Sequence, residues 1–368
     1  MEQNELKNIV SHFAIRGTVS DIKPLGAGLI NDTLLVTTAE ADAPNYVLQR
    51  VNTNVFPDVD LVMRNIYAVT THIRKKLEAA GETEIDRKVL TFMPAKDDET
   101  KLYAIVDGQY WRMMIFIENA VTKQAVNPES SRAAGKAFGQ FQAMLADIPV
   151  ELGETIKDFH NMEFRLQQLR EVIAKDPVGR VAEPEVQAML KEIDARAEYM
   201  CQAERMGREG VLPKRVCHCD TKVNNMMFDA SGEVLCVIDL DTVMPSFVFS
   251  DFGDFLRTAA NKVAEDDPRI EMVEFDMEIF KALAKGYVAS ASVFLTPVEL
   301  DNLPYAAALF PYMQAVRFFA DHINGDTYYK IKYPEHNLVR TRNQMALFRS
   351  VMSYLPQMQE YISTLRKG

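Results

Sequence analysis

Residues 216 to 241 constrain this chain more than any other stretch. Val216-Cys217-His218-Cys219-Asp220-Thr221-Lys222-Val223-Asn224-Asn225 gathers ionisable and amide side chains between apolar ones. Met226-Met227-Phe228 and Val234-Leu235-Cys236-Val237-Ile238 then read as two short strands around an Asp229-Ala230-Ser231-Gly232 turn. The second strand ends in Asp239-Leu240-Asp241, so a carboxylate is displayed where the hairpin stops.

The order His-x-Asp-x-Lys-x-x-Asn, followed by a strand ending in Asp, is the arrangement of phosphoryl-transfer loops. An ionised Asp220 accepts hydrogen bonds only, so it can orient a hydroxyl and take its proton. Mg²⁺ is a hard cation that takes oxygen ligands, and Asn225 and Asp239 both offer oxygen. Lys222 supplies a point charge for a transferring phosphoryl group. His218 is expected to hold the loop by hydrogen bonds. The competing reading is a chance assembly of structural residues; it requires His218, Asp220, Lys222, Asn225 and Asp239 to coincide at these spacings. Asp251-Phe252-Gly253-Asp254 spells a second metal-binding motif but does not directly follow a strand. Asp251 and Asp254 are therefore expected to cap and brace a helix from Phe255 to Val263.

With 368 residues, the chain is long enough for two domains with separate cores. Its net charge of -11 argues against general nucleic-acid binding, which needs a broad basic field. The acidic start Met1-Glu2-Gln3-Asn4-Glu5 does not read as a secretory signal, and no apolar run reaches membrane-spanning length. A cytoplasmic protein without a membrane or evident protein partner is expected. Cys201, Cys217, Cys219 and Cys236 form no disulfide framework. Cys217-His218-Cys219 lacks the second Cys/His pair that a structural zinc site needs.

Leu6, Ile9, Val10 and Phe13 lie at helical spacing within residues 2 to 15. Strands are expected over Thr18 to Leu25, Asn31 to Thr38, Tyr46 to Val51, Val89 to Met93, Leu102 to Val106 and Gln109 to Ile117. A helix carrying Leu61, Ile66, Val69, Ile73 and Leu77 lies among them. Asp107-Gly108 suits a hairpin turn, and Gly26 and Gly28 allow close backbone approach to a phosphate. From Pro128 the period becomes helical. Helices are expected over Pro184 to Arg205, Met272 to Ala291, Pro297 to Ile323 and Asn343 to Leu355. The fold class is α+β in two lobes: a small antiparallel sheet over 1–118 and a larger, mostly helical part over 119–368. Phe159-His160-Asn161 and the segment from Arg317 to Lys330 are polar and aromatic islands in the helical part. A sugar site needs such chemistry, although helix ends and turns produce it too.

The motifs at His218–Asn225, Val237–Val243 and Asp251–Asp254 resemble those of the aminoglycoside phosphotransferase and choline kinase superfamily. Tyr46-Val47-Leu48-Gln49-Arg50-Val51-Asn52 and Tyr333-Pro334-Glu335-His336-Asn337-Leu338-Val339-Arg340-Thr341-Arg342 bring the resemblance closest to N-acetylhexosamine 1-kinases. The resemblance implies a protein-kinase-like fold with ATP and Mg²⁺ between the lobes. It implies that the Gly26/Gly28 loop and Asn31 cover the nucleotide, and that the backbone around Glu118 meets the adenine. Related kinases carry a Lys or Arg on the third strand; here Gln49 takes that register and Arg50 is one residue off, so either is a candidate phosphate contact. Arg317, Tyr328 and His160, with Asp220, become candidate sugar contacts. The implied reaction transfers the γ-phosphoryl group of ATP to the anomeric hydroxyl of an N-acetylhexosamine. The alternatives are a kinase of choline, homoserine, an aminoglycoside or another hexose, and a nucleotide-binding pseudokinase.

Overall fold

A computed structural model describes residues 2–26, 30–123 and 126–366. The chain divides into two compact units. One comprises Met1–Thr122, Asp147–Lys157 and Met226–Met244; the other comprises Lys123–Ala146, Asp158–Asn225 and Pro245–Gly368.

The first unit opens with α1 (Gln3–Ser11), which buries Leu6, Ile9 and Val10. The helix stops earlier than its periodicity suggests because the chain turns extended: Phe13 bridges Ala95, and Ala14 N donates to Pro94 O at 3.0 Å. Strands β1 (Val19–Pro24), β2 (Asp32–Thr38), β3 (Tyr46–Arg50), β4 (Ala104–Val106) and β5 (Gln109–Ile115) form an antiparallel sheet in the order β1-β2-β3-β5-β4. Alternation sends Tyr46 and Leu48 into a core with Val36, Trp111 and Met113. The strand expected over Val89–Met93 is reduced to a bridge between Phe92 and Met114, and Pro94 stops it by removing a donor. Helix α2 (Val59–Ala79) is capped by Asp58, whose carboxylate accepts Leu61 N–H at 2.9 Å, and buries Val62, Ile66, Val69 and Ile73.

The second unit is mostly helical. It contains α3 (Pro128–Leu145), α4 (Met162–Lys175), α5 (Pro184–Met200), α6 (Gln202–Arg208), α7 (Phe249–Ala259), α8 (Met277–Ala291), α9 (Pro297–Asp301), α10 (Leu303–Ile323) and α11 (His336–Arg366). The span Pro297–Ile323 is two helices rather than one: the chain breaks at Asn302, and α10 restarts with Pro304 in its first turn, where the missing N–H leaves no helical bond unmade. Helices α3 and α8 pack so closely that a Cβ on Gly286 would lie 2.1 Å from Arg132 O. Among the described residues no helix is long and apolar enough to cross a membrane.

Strand β6 (Arg215–Cys217) leads out of the second unit's helices into the polar loop. After a 3₁₀ turn over Val223–Asn225, β7 (Met226–Phe228) and β8 (Val234–Val237) form the expected antiparallel hairpin, part of the first unit. Asp229 Oδ1 closes its turn by accepting from Ser231 N (2.8 Å) and Glu233 N (3.0 Å).

Candidate active site

In the second unit the loop after β6 is built around Asp220. Its carboxylate is held at both oxygens: Lys222 Nζ lies 2.7 Å from Oδ1, and Asn225 Nδ2 donates to Oδ2 at 3.1 Å and to the Asp220 carbonyl at 2.8 Å. Burial works to lower the Lys222 pKa, but the charges of Asp220 and Asp254 outweigh it, so the ammonium is held protonated. Asn225 spends its nitrogen on Asp220, which leaves Oδ1 as the end suited to a cation. His218 is fully buried against Phe138 and Phe141, and its Nδ1 accepts Asp220 N–H at 3.2 Å. Its position is that of a brace for the loop.

Asp251 and Asp254 do something the sequence did not suggest. Helix α7 begins at Phe249, so both lie inside it, and their carboxylates cap the loop rather than a helix start. Asp251, 1 % exposed, accepts His218 N (3.0 Å), Cys219 N (2.8 Å) and Gln142 Nε2 (2.7 Å). Tyr287 OH fixes Gln142 from behind at 2.5 Å. Burial raises the Asp251 pKa, opposed by His218 and these donors. Asp254 accepts Thr221 N–H at 3.2 Å and is paired with Arg257, which also reaches Glu265. Gly253 lies between them because α7 presses on α10: a Cβ there would sit 2.4 Å from Ala306 O.

The two islands of the helical part meet. Arg317 on α10 lies over the Phe159 ring (5.4 Å to the centroid) and the Tyr329 ring (5.8 Å). Its Nη1 donates to Gln314 Oε1 at 3.1 Å, and Gln314 Nε2 donates to Tyr329 OH at 3.2 Å. His160 stacks on Phe159 at 4.3 Å and meets Phe310 edge-on at 4.9 Å. Burial, then the nearby charges of Arg317 and Arg165, press its pKa well below the usual value, while Asp220 works the other way. The imidazole is therefore neutral, and its buried Nδ1 has no hydrogen-bond partner. Arg165 donates twice to Phe159 O, at 3.1 and 2.7 Å, and burial followed by Arg317 lowers its pKa to about 10. Tyr328, the tyrosine singled out in the sequence, is 72 % exposed and touches Tyr329 edge-on. Asp321 shapes this loop by accepting the N–H groups of Thr327, Tyr328 and Tyr329 and the Asn337 amide. Asn337 comes from the Tyr333–Arg342 motif, which gives that motif a structural reason.

In the first unit, Asp239 follows β8 with a left-handed backbone (φ +61°) and an exposed side chain, whereas Asp241 is buried. Both Asp239 and Asn225 offer oxygen, the donor type a hard cation such as Mg²⁺ takes. Asp241 is ion-paired with Arg112 on β5 and accepts Asn31 Nδ2 at 2.8 Å. Asn31 Oδ1 accepts Asn52 N–H at 3.0 Å. Gln49 donates to Thr33 Oγ1 at 3.1 Å and accepts Arg112 Nε at 3.0 Å. Arg50 turns outward to Asp32. The Glu118 carboxylate accepts Asn45 Nδ2 at 2.8 Å, and its carbonyl accepts from Arg87 at 3.4 Å. Gly26 has φ +69°, with open space where a Cβ would be; Gly28 lies outside the described residues.

Arg112, Asp241, Arg165, Tyr329 and Asp321 were not singled out from the sequence. Asp241, Asp321 and Tyr329 carried a signal there, each sharing a motif or polar segment with a residue that was chosen, whereas Arg112 and Arg165 carried none.

A model of the phosphotransferase enzyme family matches residues 21–287. Among solved structures, the chain is similar to an aminoglycoside phosphotransferase from Alicyclobacillus acidocaldarius (TM-score 0.65, 12% identity, covering 97% of this chain and 96% of that one). It is also similar to the amicoumacin kinase hAmiN, solved with AMP-PNP, Ca²⁺ and Ami (0.59, 12%, 95% and 94%). A choline/ethanolamine kinase family protein from Mesorhizobium loti gives 0.56 and 15% over the full length of both chains.

Proposed function

Because this chain belongs to the phosphotransferase enzyme family, we propose that it transfers the γ-phosphoryl group of ATP to the anomeric hydroxyl of an N-acetylhexosamine, giving the sugar 1-phosphate. Asp220, aligned by Lys222 and Asn225, accepts the hydroxyl proton as the bond to phosphorus forms. An anomeric hydroxyl is more acidic than an ordinary alcohol, so a modest carboxylate base suffices. Lys222 offsets charge on the transferring group. Asn225 and Asp239 are the proposed oxygen donors to Mg²⁺, which, when bound, neutralises phosphate charge. Use of ATP is supported by the likeness to a kinase solved with AMP-PNP.

The observation that carries the sugar reading is the setting of Arg317. A guanidinium lying over two aromatic rings, with Arg165 near it, presents a flat donor fork beside apolar faces in the unit that holds Asp220. Vicinal hydroxyls and an acetamido carbonyl fit such donors. A cationic acceptor such as choline or an aminoglycoside would meet like charge here.

The test is ATP consumption with Mg²⁺ against GlcNAc, GalNAc, glucose, galactose, choline, homoserine and kanamycin, with Asp220→Asn as control. Turnover confined to the N-acetyl sugars and reduced about 10³-fold in the variant, with the phosphate mapped to C1, is the expected result. Turnover with choline or kanamycin instead would overturn the substrate assignment, and near-normal turnover by Asp220→Asn would overturn the mechanism.

A further inference from the structure

Strand β3 carries no cation free to meet a phosphate. The Gln49 side chain is used at both ends, by Thr33 and Arg112, and Arg50 is turned outward to Asp32. A fixed positive charge does exist one strand over. Gln49 and Arg112 are direct cross-strand partners, and Arg112 is 2 % exposed.

Arg112 is the centre of a buried polar network. It pairs with Asp241, touches Gln49 and lies over the Phe92 ring at 5.7 Å. Asp241 takes a second bond from Asn31, Asn31 accepts from Asn52, and Asn52 Nδ2 returns to Ile30 O at 3.2 Å. The base of the glycine loop, the end of β3, β5 and the turn after β8 are thus tied to one guanidinium.

A buried ion pair is a weak source of stability, since desolvating two charges offsets most of their attraction. What such a pair does well is fix geometry. The geometry at stake here is the turn Leu240–Thr242, because the residue entering it is Asp239, exposed and left-handed.

We propose that Arg112 is a positioning residue for the metal–nucleotide complex: by clamping Asp241 from β5 it fixes the turn from which Asp239 projects. This rests on the phosphotransferase reading and on Asp239 as a metal donor. Arg112 itself touches neither metal nor phosphate in this account.

The experiment uses the full chain with Arg112→Met, Arg112→Lys, Asp241→Asn and the double variant Arg112→Met/Asp241→Asn. ADP binding is measured by calorimetry with and without Mg²⁺, and folding by urea unfolding. Arg112→Met leaves Asp241 charged and unpaired, so both its folding midpoint and its MgADP affinity fall. The double variant removes both charges; its folding midpoint returns towards that of the wild type. Its MgADP affinity stays at least about 10-fold weaker, with metal-free ADP affected far less. That split between restored folding and unrestored Mg²⁺-linked affinity is the expected result. A double variant that binds MgADP like the wild type shows the pair to be merely structural and overturns the proposal alone. A wild-type chain that fails to bind MgADP overturns the proposal together with the reading it rests on.

Discussion

The carboxylate of Asp251 accepts the main-chain N–H of Cys219 at 2.8 Å, and Cys219 is held in a left-handed backbone conformation at φ +64°. A non-glycine residue in that region costs about 1–2 kcal/mol, so the loop does not adopt it spontaneously. The second bond, from His218 N to the same carboxylate, makes the strained turn the arrangement that satisfies two buried donors. Asp220 follows directly, and its direction is set by a residue 31 positions further on.

Asp251→Ala should therefore destabilise the protein by about 3 kcal/mol, the scale for stranding buried partners of a charged group. It should also lower kcat by more than it raises any KM, because Asp220 loses its orientation. Urea unfolding and steady-state kinetics check the two parts separately.

Glu204 yields a pH prediction. Burial pushes its carboxyl up from 4.5 to about 7, with the Met162 N–H holding it partly down. A carboxyl whose folded pKa is raised contributes stability that is full below about pH 4.5 and is lost as pH climbs through 7. Glu204→Gln, which stays neutral, should match the wild type near pH 4.5 and exceed it by about 2–3 kcal/mol at pH 8. Thermal unfolding at the two pH values measures this difference.

Arg317→Ala should raise the acceptor KM by about 10- to 100-fold, corresponding to roughly 1.4–2.8 kcal/mol, and leave the ATP KM unchanged. Tyr329→Ala should follow in the same direction because it removes one of the two rings that hold the guanidinium. The comparison with Tyr328→Ala is informative: its exposed ring predicts the smaller effect on Arg317. Kinetics with each variant at saturating ATP give the ranking.

Gly253→Ala places a methyl 2.4 Å from Ala306 O in the contact between α7 and α10. Overpacking of this kind costs about 1–3 kcal/mol, and because α7 carries Asp251 and Asp254, activity should fall before the fold is lost. A kcat loss measured well below the unfolding temperature distinguishes this from simple destabilisation.

The chemistry-bearing loop was legible because its residues are neighbours in sequence: Asp220, Lys222 and Asn225 come together through one short turn, and that turn forms as the spacing predicts. The sheet was legible for the same reason of short range, through alternation on β2, β3 and β5 and the Asp107-Gly108 turn. Misreadings came where a local rule had a distant competitor. Asp251 and Asp254 look like helix caps because carboxylates often are, yet α7 starts before them and the loop's N–H groups claim them.

The amino-acid sequence by itself determined the α+β class, the phosphotransferase family and the loop that brings Lys222 and Asn225 onto the Asp220 carboxylate, since periodicity and spacing act over a few residues. Tertiary structure alone decided that Arg112 on β5 lies opposite Gln49 on β3, that Asp241 is its ion-pair partner, and that Arg317 lies over both the Phe159 and the Tyr329 rings. Those relationships arise from strand register and helix packing, which bring together residues far apart in the chain and leave no mark in its local pattern.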